Sequence, residues 1–557
     1  MRELSLRGRK FFLTPVCLVP NGRAHLGHVA GPLLKMDVLR RHLQRAGADV
    51  RMVSLSDVHE AHVLIKAYVE GSTPEQVANR FHRQIVEDVA ALGIVYDDLI
   101  NPLDPAWADT YEAVNRDFLD RIIRAGNARV HSELLPILAD TGGPSRAGGP
   151  WRPGAGDPIV SGWLKGRCPH CEESLVGFFC ESCGGHFAPS QMRNPGPAYF
   201  PGTLRLEERA SLYLELRQGP AAILEHLERI RVRPDFLRIA ERYLAANGAS
   251  IRLTVPSPWG IRFEHPEVSP GQVIFSYSAL LIGCHFVAGE RYRQLAGSAG
   301  NPFDRGSDVT CVLSFGIDNT VPFLVGAVGC ALGQDKYKPV DHFLVNYFYD
   351  LDGSKFSTSR GHVIWAGDIV TLGGAEADLV RAYLCWCTPE FGRLTFRVDE
   401  FLRFHNELGR RLATATTEAL AAARDAKAYD AGTMRYLELE LRIQAAFLNP
   451  ETFDLAGAFS CVERWLQRSP ALAAQPDGAA TWLTGLALLA YPILPDAAQR
   501  VWRGLDLPGE PSIDGLDRAF ARPEAPAGGL TLTPYRSLAR AELNACLPAA
   551  LSSERAG

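Results

Sequence analysis

The sequence predicts an α/β protein with a doubly wound parallel sheet, a small cysteine-bearing insertion and a C-terminal all-helical domain. Three observations predict this architecture: apolar runs that alternate with helical patterns at the start, a Gly- and Pro-rich stretch that holds two CxxC pairs, and Ala- and Leu-rich helical spacing in the last third. With 557 residues, of which 46% are hydrophobic, the chain can form several domains.

The opening segment predicts a strand, a tight loop and a helix. An apolar run covers 10–19, Pro-Asn-Gly follows it, and apolar residues recur at helical spacing over 28–46. A second apolar run, 49–55, leads directly into Asp57 and its polar neighbours. Because open parallel sheets bind ligands at the carboxyl ends of their strands, these residues predict a binding site.

The rest of the chain predicts the second half of the sheet and a helical domain. Helical spacing covers 204–246, and strand-like runs follow at 273–275, 309–315 and 340–349. Beyond a Gly- and Ser-rich loop, the sequence from 376 to 505 is almost purely helical in pattern.

Composition restricts the setting more than the function. The net charge of -5 neither supports nor excludes a nucleic acid partner. We expect a cytoplasmic protein without a membrane partner, because no run approaches the roughly 20 apolar residues of a bilayer span and the first residues are too quickly polar for a signal peptide. Twelve cysteines, paired as CxxC or scattered in apolar segments, fit a reducing compartment.

The first chemical motif is the segment 21–28, Asn-Gly-Arg-Ala-His-Leu-Gly-His, at the predicted start of a helix. A helix N-terminus attracts phosphate, and a glycine between two histidines leaves room for a flat base. His25 and His28 could therefore grip ATP from both sides. The alternative is a pair of solvated or core histidines without a role.

The second motif is the loop 352–361, which carries Lys355 and Arg360 among glycines and hydroxyl side chains. Such a loop can close positive charge over a triphosphate. The alternative is an ordinary flexible connector.

The third motif is two CxxC knuckles in the Gly-rich segment. Four thiolates can close a tetrahedral zinc site, and a redox dithiol or unrelated free cysteines are the alternatives. The predicted ligands of a structural Zn²⁺ are Cys168, Cys171, Cys180 and Cys183.

Together, the HLGH and KFSTSRG segments resemble the two signature motifs of class I aminoacyl-tRNA synthetases, His-Ile-Gly-His and Lys-Met-Ser-Lys-Ser. With the knuckle inserted between two sheet halves, the sequence is most similar to the methionyl-tRNA synthetase family, from about residue 11 to 507. Further local matches lie at 71–76, 91–97 and 401–406.

The resemblance implies an enzyme that uses Mg²⁺ and ATP to convert an amino acid to its adenylate and then acylates tRNA. It implies that His25 and His28 stabilise the pentavalent phosphate, that Gly27 faces adenine, and that Asp57 anchors the α-ammonium group. For Asp57 a simple helix cap is the alternative. The remaining ATP-site residues implied by the resemblance are Asn21, Lys355, Ser357, Ser359 and Arg360.

The resemblance also implies the domain order. We predict the two halves of the catalytic domain over 1–126 and 203–350, separated by the insertion 127–202. We predict a signature-loop and stem-contact segment, an anticodon-binding-like helical domain and a tail over 351–375, 376–507 and 508–557.

Several positions depart from the family pattern. Val19 stands where the family has a pocket tyrosine and Cys17 where it has a leucine, while Tyr277 and Phe323 replace a tryptophan and a histidine. These changes leave the activated amino acid open. Thr358 replaces the second signature lysine, a loss of charge that Arg360 would offset only in part.

Three functions follow. The first is amino acid activation and tRNA charging, by a monomer or homodimer. The second is a paralogue in specialised metabolism that passes a non-methionine aminoacyl group to a small amine or hydroxylamine, which the altered pocket favours. The third is an inactive scaffold that binds tRNA or a partner, which Thr358 favours. Trp465, displaced from the family's anticodon tryptophan, is either a core residue or a base-stacking platform.

Overall fold

The computed structural model describes residues 4–140, 153–180, 185–358, 360–514 and 535–552. Its first part alternates strands with helices, as a doubly wound sheet requires. The elements are β1 (Lys10–Pro15), α1 (Leu26–His28), α2 (Leu34–Arg45), β2 (Asp49–Leu55), α3 (Ala61–Glu70), α4 (Pro74–Ala91), β3 (Asp98–Ile100) and α5 (Pro105–Arg124).

The predicted strand over 49–55 is confirmed as β2, whereas the strand predicted over 10–19 ends at Pro15. The helix predicted over 28–46 starts earlier, at Leu26, and contains a π-helical turn over Val29–Leu33. Pro32 causes this irregularity, because it cannot donate the backbone hydrogen bond that a regular helix needs.

The insertion lies on a long antiparallel ribbon. Its strands are β4 (Ala128–Asp140), β5 (Leu164–Arg167), β6 (Ser174–Val176), β7 (Arg193–Pro197) and β8 (Thr203–Glu215). The helix predicted to start at residue 204 is wrong up to Glu215, because β8 pairs with β4 along nearly its whole length. Its Leu, Glu and Arg residues favour helix locally, but the ladder to β4 overrides that preference.

The segment 219–355 follows, and two of its strands join the central sheet. Its elements are α6 (Gly219–Arg229), α7 (Pro234–Asn247), β9 (Ser250–Arg252), β10 (Thr254–Pro256), β11 (Gln272–Ile274), α8 (Leu281–Ala296), β12 (Thr310–Gly316), α9 (Val328–Leu332), β13 (His342–Asn346), β14 (Tyr349–Leu351) and β15 (Ser354–Lys355). The central sheet has the order β13-β12-β1-β2-β3, and every pair of neighbours is parallel. The predicted doubly wound parallel sheet is therefore confirmed.

The C-terminal part is helical, as predicted, apart from one short strand. Its elements are α10 (Asp368–Thr371), α11 (Ala377–Trp386), β16 (Leu394–Phe396), α12 (Val398–Ala423), α13 (Ala431–Phe447), α14 (Leu455–Gln467), α15 (Ser469–Leu472), α16 (Pro476–Ala490), α17 (Pro495–Gly504), α18 (Arg540–Leu543) and α19 (Ala549–Ser552). Within the described ranges, no helix is both long and apolar enough to cross a membrane.

Two apolar cores flank the sheet. One packs α2 against β1 and continues without interruption into the helical domain. The other packs α5 and α8 against the opposite face of β1 and β12. A fully buried guanidinium on α11 joins the domains, since Arg381 donates 2.7 Å to Asp37 on α2 and 2.9 Å to the Ile493 carbonyl. The helical domain thereby has a fixed position relative to the carboxyl edge of the sheet.

Candidate active site

The two signature histidines lie beside each other at the start of α1. His25 caps the helix: its Nδ1 accepts from the backbone N–H of Gly27 at 3.1 Å and of His28 at 3.4 Å. The His25 backbone N–H donates in return to His28 Nδ1 at 3.2 Å. The rings stack with centroids 3.7 Å apart. The prediction that the two histidines grip ATP from both sides is therefore wrong, because the rings stack directly on each other and leave no room for a base between them.

Both histidines are suited to donate to an anion without carrying charge. Each Nδ1 accepts a backbone hydrogen bond, so the neutral ring holds its proton on Nε2. Burial lowers the pKa of His28 to about 4. Burial, then the nearby His28 and Lys355, lower the pKa of His25 well below its ordinary value. At neutral pH both Nε2–H groups are therefore neutral donors.

The signature loop docks directly on this histidine pair. The ring of Phe356 stacks on His25 with centroids 4.8 Å apart and planes inclined by 2°. The backbone N–H of Leu26 donates to the Ile364 carbonyl at 3.1 Å, and that of Ala366 donates to the Ala24 carbonyl at 2.9 Å. Ring stacking and backbone hydrogen bonds thus join two segments that are more than 300 residues apart in the chain.

A buried carboxylate fixes the contact between the two segments. The Asp88 side chain, 1% exposed, pairs with Arg23 at 2.6 Å and accepts from the backbone N–H groups of Ala24 and Gly367, each at 3.1 Å. Arg23 also pairs with Asp368 at 2.7 Å. One side chain on α4 therefore holds both signature segments.

The other predicted ATP-site residues lie around this contact. Asn21 lies in the turn before α1, and a Cβ added at Gly27 would meet Phe356 at 3.1 Å and His25 at 3.0 Å. Lys355 is exposed on β15, with Nζ 5.1 Å from the Phe348 ring. Ser357 exchanges backbone hydrogen bonds with His362, and its Oγ accepts from Arg360 Nε at 3.1 Å. The predicted residue Ser359 lies outside the described residues.

Asp57 presents a buried carboxylate at the end of β2. It is 4% exposed, and its Oδ1 has no hydrogen-bond partner within the described part of the chain. Burial, then Glu60 and Cys17, raise the pKa of Asp57 well above its ordinary value. The helix cap considered as the alternative for Asp57 is supplied by Glu60, which accepts from the His62 backbone at the start of α3. The free oxygen fits a cationic ligand.

The residues predicted to line the substrate pocket form three groups. Cys17 and Phe323 belong to the core between β1 and α8, where Phe323 stacks on Phe315 at 4.6 Å. Val19 packs instead on a small cluster formed by α3 and α4. The Tyr277 hydroxyl donates to the Asp318 carbonyl at 2.9 Å.

The insertion contacts Tyr277, one of the predicted pocket residues. The rings of Phe179 and His186 lie 6.4 and 6.1 Å from the Tyr277 ring, measured between centroids. Phe179 and His186 pair through their backbones, and Phe179 immediately precedes Cys180. The fold of the knuckle therefore affects the surroundings of Tyr277.

The knuckle cysteines converge. The thiols of Cys168, Cys171 and Cys180 all lie within 4.8 Å of one another, and the Cys171 and Cys180 sulfurs are 3.6 Å apart. This spacing fits thiolates around one tetrahedral ion. The fourth predicted ligand, Cys183, lies outside the described residues.

Two side chains beside predicted site residues were not predicted from the sequence. Phe356 is part of the quoted loop, but its stacking on His25 has no sequence signal. His285 on α8 is fully buried beside Phe323, with ring centroids 5.6 Å apart. In the helical domain, Trp465 is a core residue: it is 0% exposed and its Nε1 donates to the Trp482 carbonyl at 3.0 Å.

Comparison with known proteins agrees with this geometry. The family model described as "tRNA synthetases class I (M)" matches residues 11–127 and 158–415. Methionine--tRNA ligase of Chlorobaculum tepidum is 24% identical over 91% of this chain and 74% of its own length. That of Salinispora tropica is 28% identical over 70% of this chain and 64% of its own length. The structure of Mycobacterium tuberculosis methionyl-tRNA synthetase bound by methionyl-adenylate has a TM-score of 0.69 at 14% identity and covers 95% of this chain and 100% of that one.

A parallel sheet whose carboxyl edge joins a histidine pair to a cationic loop defines the catalytic fold of class I aminoacyl-tRNA synthetases. The family model covers well over half of the 557 residues. The chain therefore belongs to the class I (M) tRNA synthetases, and it is a methionyl-tRNA synthetase-like ligase. It spans about two thirds to three quarters of the length of the two relatives described above.

Proposed function

We propose that the protein activates an amino acid with Mg-ATP. A carboxylate oxygen of the amino acid attacks the α-phosphorus, the bond from that phosphorus to the bridging oxygen of the β-phosphate breaks, and pyrophosphate leaves with the electron pair. The observation that carries this proposal is the docking of the signature loop on the histidine pair at the edge of the sheet. Catalysis is then mainly positioning and charge stabilisation.

Each group takes one role in this step. The neutral Nε2–H groups of His25 and His28 donate to the α-phosphate oxygens, where charge builds up in the transition state. Lys355 and Arg360 hold the departing pyrophosphate, and Ser357, Ser359 and Asn21 orient the nucleotide. Mg²⁺ enters with ATP and shares the charge of the triphosphate.

Asp57 binds the α-ammonium group of the amino acid. An ammonium ion beside its unpartnered Oδ1 would form a charge-assisted hydrogen bond and lower the cost of a buried carboxylate. Cys17, Tyr277 and Phe323 line the side-chain pocket, with Val19 at its margin. Cys168, Cys171 and Cys180, with Cys183 as the predicted fourth ligand, would hold a Zn²⁺ that stabilises the insertion.

The first candidate acceptor is tRNA, since the relatives named above are tRNA ligases and the helical domain is fixed beside the catalytic edge. The second candidate is a small amine or hydroxylamine. The burial of Trp465 favours it, because a fully buried indole with a satisfied N–H offers no face to a base.

ATP–pyrophosphate exchange, measured with each of the twenty amino acids, tests the activation step. We expect exchange with one or a few amino acids and a loss of at least about 100-fold in Lys355→Ala, as for removal of one charge-stabilising group. The matched control is Lys427→Ala, a lysine of the helical domain outside the site, which should leave exchange unchanged.

Absence of exchange with every amino acid would contradict the proposal. The inactive scaffold would then be the remaining function of the three. Charging of tRNA with the activated amino acid identifies tRNA as the acceptor. Release of AMP that depends saturably on a small amine or an N-hydroxylated amine, without charging of tRNA, identifies a small-molecule acceptor.

A further inference from the structure

His285, on α8, is a buried histidine that the roles above do not use. It is 0% exposed, and its Nδ1 shares a hydrogen bond with Thr14 Oγ1 at 2.7 Å. Its Nε2 has no hydrogen-bond partner among the residues that the structure describes. An unpaired buried polar atom costs about 1–3 kcal/mol, so this nitrogen is suited to a ligand.

The position of His285 relates it to the amino acid pocket. Its ring lies beside that of Phe323, at 5.6 Å between centroids, and Thr14 lies on β1 three residues before Cys17. The preceding residue, Cys284, lies close enough to Cys17 for the two thiols to shift each other's pKa. Helix α8 thus brings two polar side chains to the wall that Cys17 and Phe323 line.

We propose that His285 determines substrate specificity: the activated amino acid carries a neutral hydroxyl or carboxamide in its side chain, which pairs with His285 Nε2. This proposal rests on the amino acid activation proposed above. It names the class of amino acid that the altered pocket selects.

The chemistry of the site favours a neutral partner. Burial lowers the pKa of His285 to about 3, so the ring stays neutral and attracts no carboxylate by charge. Thr14 fixes the ring, and the tautomer decides whether Nε2 donates or accepts. Hydroxyl and carboxamide groups satisfy either tautomer, whereas a thioether is only a weak acceptor.

Isosteric amino acids test this directly. We compare kcat/KM for ATP–pyrophosphate exchange with threonine against valine, asparagine against leucine, and glutamine against methionine. A site built around a polar group discriminates strongly against an analogue that lacks it. We expect at least one polar member to exceed its apolar isostere by about 100-fold or more.

Variants assign the preference to His285. We expect His285→Leu to reduce the polar-to-apolar ratio to below about tenfold while KM for ATP stays unchanged. The matched control is His226→Leu, which removes a buried histidine whose Nε2 is bonded to the Val340 carbonyl away from the site, and which should keep the ratio. If His285→Leu does not fold, Thr14→Val, which removes the bond that fixes the ring, should lower the ratio about tenfold.

Each outcome decides the proposal. Equal or better use of the apolar isosteres overturns it, and so does an unchanged ratio in His285→Leu or, where that variant is insoluble, in Thr14→Val. Exchange with apolar amino acids alone overturns the specificity while leaving amino acid activation intact. Lack of exchange with every amino acid refutes activation itself, so the two failures are distinguishable.

Discussion

Replacing Asp57 by asparagine should affect binding and stability in opposite directions. The change keeps the size of the side chain and removes its charge. In the proposed complex the substrate ammonium then lacks its carboxylate, and leaving one partner of a buried pair unpaired costs about 3–5 kcal/mol. The free-energy range for a buried pair applies to Asp57, because its side chain is 4% exposed and its Oδ1 has no partner among the described residues. We expect KM for the amino acid to rise by roughly 100- to 4000-fold.

The stability of the free protein should instead increase. The pKa of Asp57 is raised in the folded state, mainly by burial, so the folded chain binds this proton more tightly than the unfolded chain. The free energy of unfolding therefore falls as pH rises from the ordinary carboxyl pKa towards the raised one. Asparagine does not titrate, so the Asp57→Asn variant avoids this loss of stability. The Tm of the variant at pH 7 should therefore exceed that of the parent protein.

Pyrophosphate exchange and thermal unfolding measure the two effects. The control variant is Asp378→Asn, another carboxylate with 4% exposure, which accepts from the Ala497 backbone in the helical domain. It should leave KM for the amino acid unchanged. A KM in Asp57→Asn within threefold of the parent value, or an equal rise in KM for ATP, would refute the assignment of Asp57 to the ammonium group.

Three further predictions concern the signature contact and the insertion. Asp88→Ala leaves two backbone N–H groups without an acceptor and Arg23 with Asp368 as its remaining carboxylate, so denaturant unfolding should show a loss of about 1–3 kcal/mol. The exposed Asp335→Ala should show no measurable change, and equal effects of the two variants would contradict the role given to Asp88. Burial lowers the pKa of His28 from 6.5 to about 4, so between these pH values the unfolded chain binds a proton that the folded chain does not. The free energy of unfolding should therefore decline as the pH falls from 6.5 to 4. The same decline in a His28→Asn variant would contradict this assignment. Because Phe179 and His186 of the insertion contact Tyr277, chelation of zinc should raise KM for the amino acid several-fold more than KM for ATP. Purified protein that contains no zinc would contradict the predicted zinc site.

The sequence predicts the parts of the fold where one local signal dominates. The apolar run of β2 is flanked by turn residues, and the structure has the same bounds. The ribbon strand β8 was predicted as helix because its Leu, Glu and Arg residues are helix formers. Only the pairing with β4 makes it a strand, and no local pattern reveals a partner more than 60 residues away.

The site shows the same division. HLGH and KFSTSRG could be read because together they resemble the two signature motifs of class I aminoacyl-tRNA synthetases, and the structure brings the two segments together. The roles of Phe356 and His285 could not be predicted. A ring stack between distant segments, or a buried nitrogen without a partner, depends on tertiary placement that a single sequence does not encode in local spacing.

A crystal structure with a non-hydrolysable ATP analogue tests the central claim most directly. We predict that the triphosphate lies between His28 and the loop carrying Lys355, with Nε2 of His28 and Nζ of Lys355 both within hydrogen-bond distance of phosphate oxygens. A nucleotide bound elsewhere, or a triphosphate that contacts one of these segments without the other, would contradict the account.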